Sequence, residues 1–97
     1  MNYRNLRVAE LIKEELSRIF LKELDLAEGV FLTITQVEVD KKLLEAKVKL
    51  GILPYEKGPE TFKYIESRKR KLQFLLSRKI EIKPMPTLKF EISEEKS

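Results

Sequence analysis

The sequence has no cysteine, no histidine and no tryptophan, and only three glycines. Without cysteine there is no disulfide framework and no thiolate chemistry. Without histidine the usual nucleophile–base pairs are unavailable, and together the two absences remove the ordinary zinc ligands. The glycines stand far apart, at 29, 51 and 58, and no G-x-x-x-x-G-K pattern exists to cradle a phosphate. No apolar run reaches the roughly 18 residues of a membrane span. The opening stretch, MNYRNLRVAE, is polar and charged and lacks a signal-peptide core. A soluble, cytoplasmic protein with no membrane contact is expected. Asparagine (Asn2, Asn5) and glutamine (Gln36, Gln73) are scarce beside abundant lysine and glutamate, a composition resembling that of hyperthermophile proteins.

Carboxylates are the acid–base groups that remain. Glu14/Glu15, Glu94/Glu95 and the isolated acids fall at exposed or terminal positions. No apolar pocket is evident that would raise a carboxylate pKa for general-acid work. The chain therefore reads as a binding module, with no catalytic residue, metal or cofactor expected.

What is present suits one small domain over residues 1–97. Apolar residues make up 42% of the 97, enough for one core, and 37% are charged, well above the usual share of about 25%. Twenty Lys+Arg against 16 Asp+Glu leave a formal charge of +4. That excess is modest and compatible with an anionic partner without requiring one.

Periodicity divides the chain into five elements. Residues 4–24 read as a helix. Leu6, Ala9, Ile12, Leu16, Ile19, Phe20 and Leu24 recur at helical spacing on one face. Arg4, Arg7, Arg18 and Lys22 cluster on the other side, with Glu14 one turn before Arg18 and able to pair with it. Gly29 marks a turn into a strand. Residues 31–40 are rich in β-branched and aromatic types, but Leu32 and Ile34 share one face and Val37 and Val39 the other. A bulge near Thr35–Gln36 brings both pairs to the core side. In residues 45–53, Ala46, Val48, Leu50 and Ile52 point one way and Glu45, Lys47 and Lys49 the other. The short connection DKKL makes these two strands an antiparallel hairpin.

Gly58-Pro59 opens a second helix from about 60 to 79. Phe62, Ile65, Leu72 and Leu76 form its stripe, and Lys69 would fall in the middle of that stripe in a straight helix. Either the lysine snorkels to water or the helix kinks near 67–71; the kink is the preferred reading. Residues 87–92 alternate Leu88, Phe90 and Ile92 with Thr87, Lys89 and Glu91, a third strand with one buried face. A three-stranded sheet and two one-sided helices are satisfied by a two-layer α+β sandwich.

The stretch SRKRKLQFLLSRK, residues 67–79, carries six cations around three leucines. A solvated helix back, with Arg78 and Lys79 complementing the dipole, would explain it equally well taken alone. A second cationic ridge, Arg4, Arg7 and Arg18, tips the balance if both helices flank one sheet face. Such ridges supply affinity and orientation on a sugar–phosphate backbone with little sequence information. Tyr3, Tyr55 and Tyr64 could stack on bases, but a core or loop role is the commoner one.

Three stretches resemble one family, the bacterial ribosome-binding factor A. LRVAELIKEELSRIFLKEL (6–24) is similar to its opening helix, with Arg-Val-Ala-Glu-x-Ile followed by Glu-Leu-Ser. LTITQVEVDKKLLEAKVKLGIL (32–53) is similar to its hairpin. LLSRKIEIKPMPTLKFEISEE (75–95) is similar to its ending, where Leu-x-x-Arg leads to Pro-x-Leu-x-Phe. The resemblance implies a type II KH-like fold, α-β-β-α(kinked)-β, with a mixed three-stranded sheet. It implies a non-enzymatic role in late maturation of the small ribosomal subunit, with binding to immature subunits and 16S rRNA, assistance in processing the precursor 5′ end, and a link to growth in the cold. The chain departs from the pattern at the kink, where a small residue, any residue and glycine are usual and Arg68, Lys69 and Arg70 stand here. Asp40 replaces the usual serine after the first strand, Thr87 the usual glutamate before Leu88, and no long C-terminal tail is expected. There is no GXXG loop, so recognition of folded rRNA by shape and charge is expected rather than clamping of a single strand.

The expectation is thus an rRNA-binding assembly factor, acting as a monomer through Arg4, Arg7, Arg18, Lys47, Lys49, Arg68, Lys69, Arg70, Lys71, Arg78 and Lys79, with 68–71 carrying most of the contact. The competing reading is a KH-like protein-interaction adaptor whose charges serve only solubility.

Overall fold

The computed structural model describes residues 3–93. Its order is α1 (Arg4–Glu23), β1 (Phe31–Val39), β2 (Glu45–Leu53), a 3-10 turn (Tyr55–Lys57), α2 (Gly58–Ser67), α3 (Lys69–Lys79) and β3 (Thr87–Ile92). The expected α+β sandwich is present. β1, β2 and β3 form one sheet in that order, antiparallel between β1 and β2 and parallel between β2 and β3.

The turn before β1 uses Gly29 at φ +83°, a conformation open to glycine and strained for most other residues. The mixed phase of β1 is resolved as the pattern requires. Register runs Ile34↔Leu50 and then Gln36↔Lys49, so Thr35 is the extra residue of a β-bulge. Ile34 and Val39 are buried, and Leu32 and Val37 pack at the margin of the core. Between the strands, Asp40 Oδ1 accepts the N–H groups of Leu44 (2.7 Å) and Glu45 (2.8 Å). These bonds hold its carboxyl below the ordinary aspartate pKa, the Glu45 N–H foremost. Leu43 takes a left-handed φ of 59° while its side chain is buried in the core, so tertiary packing holds a backbone state that leucine alone avoids.

The 60–79 segment is two helices rather than one, and α2 starts at Gly58. The break lies at Arg68 (φ −100°, ψ 2°). Arg68 N–H bonds Ile65 C=O at 3.0 Å, closing α2 with a tightened turn, and Leu72 N–H bonds Arg68 C=O at 2.9 Å, opening α3. Because φ is negative, an L-residue fits without strain, which is why this break needs no glycine. The change of direction lets Ile65 on α2 and Leu72 and Leu76 on α3 all be fully buried, with Lys69 half-buried at the margin.

The helices cover one face of the sheet. Ala46, Val48, Leu50 and Leu88 on that face and Ile12 and Leu16 on α1 are fully buried. The Phe20 and Phe90 rings meet at 6.2 Å, tilted by 50°, joining α1 to β3. Two expected core residues are exposed. Leu6 is 57% exposed: it falls about 120° around α1 from Ile12, whereas Val8, buried and absent from the predicted stripe, falls about 40° away. Ile92 is 41% exposed, since it ends an edge strand beside Gly58 of α2, which has no side chain to cover it. Gln73 on α3 anchors the start of β3, donating to Pro86 C=O (3.0 Å) and accepting from Leu88 N–H (2.8 Å).

Candidate nucleic-acid interface

Alternation on β2 dictates where its lysines go. If Ala46, Val48 and Leu50 face the helices, then Lys47 and Lys49 face away from them. Lys47 is exposed on the open sheet face, with Glu38 opposite it on β1 and Lys89 beside it on β3. Lys49 is ion-paired to Glu38 at 3.1 Å. The eleven cations named from the sequence therefore do not form one surface. Lys47 and Lys49 belong to the sheet face that the helices leave uncovered, and the other nine cations belong to the helical layer.

Within the helical layer an ion pair ties α3 to the end of α1. Lys71 Nζ lies 3.2 Å from Glu23 Oε1, bringing the first turn of α3 against the last turn of α1. On α1 the Arg18 guanidinium is held by Glu14 (3.0 Å) and Glu15 (2.7 Å), so the expected pairing exists and is bidentate across two acids. Arg18 thus offers less free charge than its position implies. Arg4 and Arg7 are exposed.

Helix α3 is electrostatically one-sided. Its sequence, KRKLQFLLSRK, has five cations and no acid, and Arg68 precedes it. Arg68, Arg70, Lys71, Arg78 and Lys79 are exposed. Among the described residues, Lys71 alone of this set has an ion-pair partner. Arg78 and Lys79 occupy the last turn, where cations suit the helix dipole. Beside the break, Lys69 and Arg70 line a shallow groove of about 450 Å³ with Glu66, Ser67, Gln73 and Thr87. The expected concentration of charge at 68–71 is thus seated at the junction of α2, α3 and β3.

The tyrosines divide. Tyr64 is half-buried and its hydroxyl accepts the Asp25 N–H at 2.8 Å, tying the loop after α1 to α2, while Arg68 lies over its ring at 5.5 Å. Tyr55 is 64% exposed and borders an apolar groove of about 470 Å³ with Phe31, Leu53 and Ile92. Tyr3 sits at the start of α1, its carbonyl accepting from Leu6 and Arg7 N–H. Phe74, which the sequence reading passed over, is 57% exposed, with the Arg78 guanidinium 5.7 Å from its ring centre. Its place opposite Leu72 and Leu76 in the helical period was the signal that could have found it.

No group of three or more His, Cys, Asp or Glu side chains among the described residues could hold a metal ion. Glu94 and Glu95 lie outside the described residues. No helix among them is long and apolar enough to cross a membrane.

This chain is similar to known proteins in both sequence and architecture. Ribosome-binding factor A of Chloroherpeton thalassium is 42% identical over 93 residues, covering 93% of this chain and 74% of that protein. The protein of the same name from Caldanaerobacter subterraneus is 33% identical over 94 residues, covering 95% and 77%. Among solved structures, ribosome-binding factor A from Thermus thermophilus superposes with a TM-score of 0.78 at 20% identity, covering 93% of this chain and 97% of that one. A Thermus thermophilus ribosome binding factor A homology model, fitted into a cryo-EM map of its complex with the 30S subunit, superposes at 0.64 and 21% identity, covering 84% and 90%. The profile of the family described as ribosome-binding factor A matches residues 4–96. On sequence and fold together, this chain belongs to the ribosome-binding factor A family.

Proposed function

We propose that this protein binds the immature small ribosomal subunit and contacts 16S rRNA through the helical layer, assisting late assembly in the cytoplasm and processing of the precursor 5′ end. It acts by binding, with no chemical step of its own. The observation that carries this reading is α3: five cations, no acid, and an exposed outer face. Arg68, Lys69, Arg70, Lys71, Arg78 and Lys79 form the main contact, with Arg4 and Arg7 extending it along α1. Arg18, already held by two glutamates, contributes less. Lys47 and Lys49, on the opposite sheet face, stand apart from this contact. Support also comes from the relative whose homology model was fitted into a 30S complex.

Phosphate contacts release counterions, so affinity should fall linearly with the logarithm of salt, with a slope of about −0.7 to −0.9 per phosphate neutralised. The triple variant Arg68→Glu/Arg70→Glu/Lys71→Glu should lose co-sedimentation with small subunits and show a slope shallower by about 2 or more. Undiminished co-sedimentation of that variant would remove the site.

A second reading, a protein-interaction adaptor without direct RNA contact, is favoured by the apolar groove at Phe31, Leu53, Tyr55 and Ile92. Subunit binding through that groove would hardly respond to salt and would fail on Phe31→Asp instead.

A further inference from the structure

Phe74 is more than half exposed on a helix that otherwise shows charge to solvent. Single exposed apolar side chains are ordinary, and α1 has several, such as Leu11 and Leu21. What separates Phe74 is its surroundings. At about 100° per residue, Arg70, Lys71, Ser77 and Arg78 all fall within about 60° of it around α3, while the buried Leu72 and Leu76 fall about 160° away. The ring is thus the centre of the outward face, bracketed by cations one turn before and one turn after. The Arg78 guanidinium is already drawn to the ring, 5.7 Å from its centre, as expected for a cation over an aromatic quadrupole.

We propose that Phe74 is a stacking platform for an unpaired nucleobase, with Arg70 and Arg78 holding the phosphates on either side. Resting on the RNA-binding reading above, this adds the class of RNA element: one with an extruded or unstacked base, such as a bulge, rather than a continuous duplex. Aromatic rings accept any base by its π-face, while arginines follow the backbone charge. The flanking charge selects this occupant. An apolar segment of a protein would leave Arg70 and Arg78 desolvated without partners, whereas an unpaired nucleotide supplies both an apolar face and an anion. Lys71, held by Glu23, lies at the border of the platform toward α1.

The test uses the full chain and two RNA probes, a hairpin with a single bulged 2-aminopurine and the same hairpin fully paired. The native protein should prefer the bulged probe by about ten-fold and quench its fluorescence. Phe74→Leu removes the ring but keeps an apolar side chain at a position 57% exposed, so folding should be unaffected. It should abolish both the preference and the quenching while leaving affinity for the paired hairpin and its salt slope unchanged. Phe74→Trp should restore both. If Phe74→Leu behaves as the native chain on both probes, stacking is refuted while charge-driven binding stands. If the native chain binds neither probe, this proposal and the RNA-binding reading fall together. If Phe74→Leu loses subunit binding but keeps both RNA affinities, the ring contacts a ribosomal protein and the proposal is overturned.

Discussion

The Lys71 ammonium and the Glu23 carboxylate, 3.2 Å apart, close the gap between the start of α3 and the end of α1. The pair sits at the edge of the cationic face and is partly exposed, with side chains 58% and 32% accessible. Exposed pairs of this kind contribute little to stability. Glu23→Gln should therefore shift unfolding free energy by less than about 1 kcal/mol. In the same variant, Lys71 is released toward solvent, and RNA affinity at low salt should rise. Denaturant titration and a binding isotherm on one preparation check both.

Leu72 and Leu76 have no exposed surface. Either one replaced by alanine should destabilise the fold by about 2–5 kcal/mol, the range for a buried leucine leaving a cavity. Phe74→Ala, on the opposite side of the same helix, should cost far less. The comparison, read in urea, verifies which side of α3 is the core.

Gln73 bridges α3 to the start of β3 through two hydrogen bonds. Gln73→Leu keeps the volume but leaves the Leu88 N–H and the Pro86 C=O without this partner. A loss of about 1–3 kcal/mol is expected, together with faster amide exchange at Leu88.

Asp40 gives the hairpin a pH dependence whose sign follows from its lowered pKa. The folded state favours the carboxylate, because the Glu45 and Leu44 N–H groups donate to it. Its stabilisation is therefore complete above the ordinary aspartate pKa, near about 4. It disappears as the pH falls through the lower, folded value. The stability difference between the native chain and Asp40→Ala should be constant near neutrality and narrow in acid below about pH 4.

The composition leads to one further expectation. Scarce asparagine and glutamine with abundant lysine and glutamate place the midpoint of thermal unfolding above the mesophile range of about 45–65 °C. A calorimetric scan decides it.

Much of this architecture is legible in the residues because each element carries a period of its own. The phase slip between Ile34 and Val37 locates the bulge, since no regular strand buries both. The alternation of Leu88 and Phe90 locates β3, and the intrusion of Lys69 into the Leu72–Leu76 stripe puts a break near 67–71, which the structure narrows to Arg68. The failures are as physical. Leu6 fits the spacing of an apolar stripe, yet Val8 lies nearer its axis, and a list of hydrophobic positions does not rank them by angle. The site was only partly legible. Alternation in β2 already turns Lys47 and Lys49 away from the helices, yet net charge alone was reason to name them with α3, and charge does not say which face a cation shares. The neutralising contacts differ in kind. Glu14 beside Arg18 is one helical turn away and visible in sequence, whereas Glu23 and Lys71 are 48 positions apart and meet only through packing. The same holds for Gln73 and β3.

Photo-crosslinking of the protein to immature small subunits, with mapping of the joined peptides and nucleotides, bears most directly on the central claim. The account predicts crosslinks from residues 68–79 to 16S rRNA, with few or none from the sheet face around Lys47 and Lys89. Crosslinks confined to that sheet face, or to ribosomal proteins alone, would contradict it.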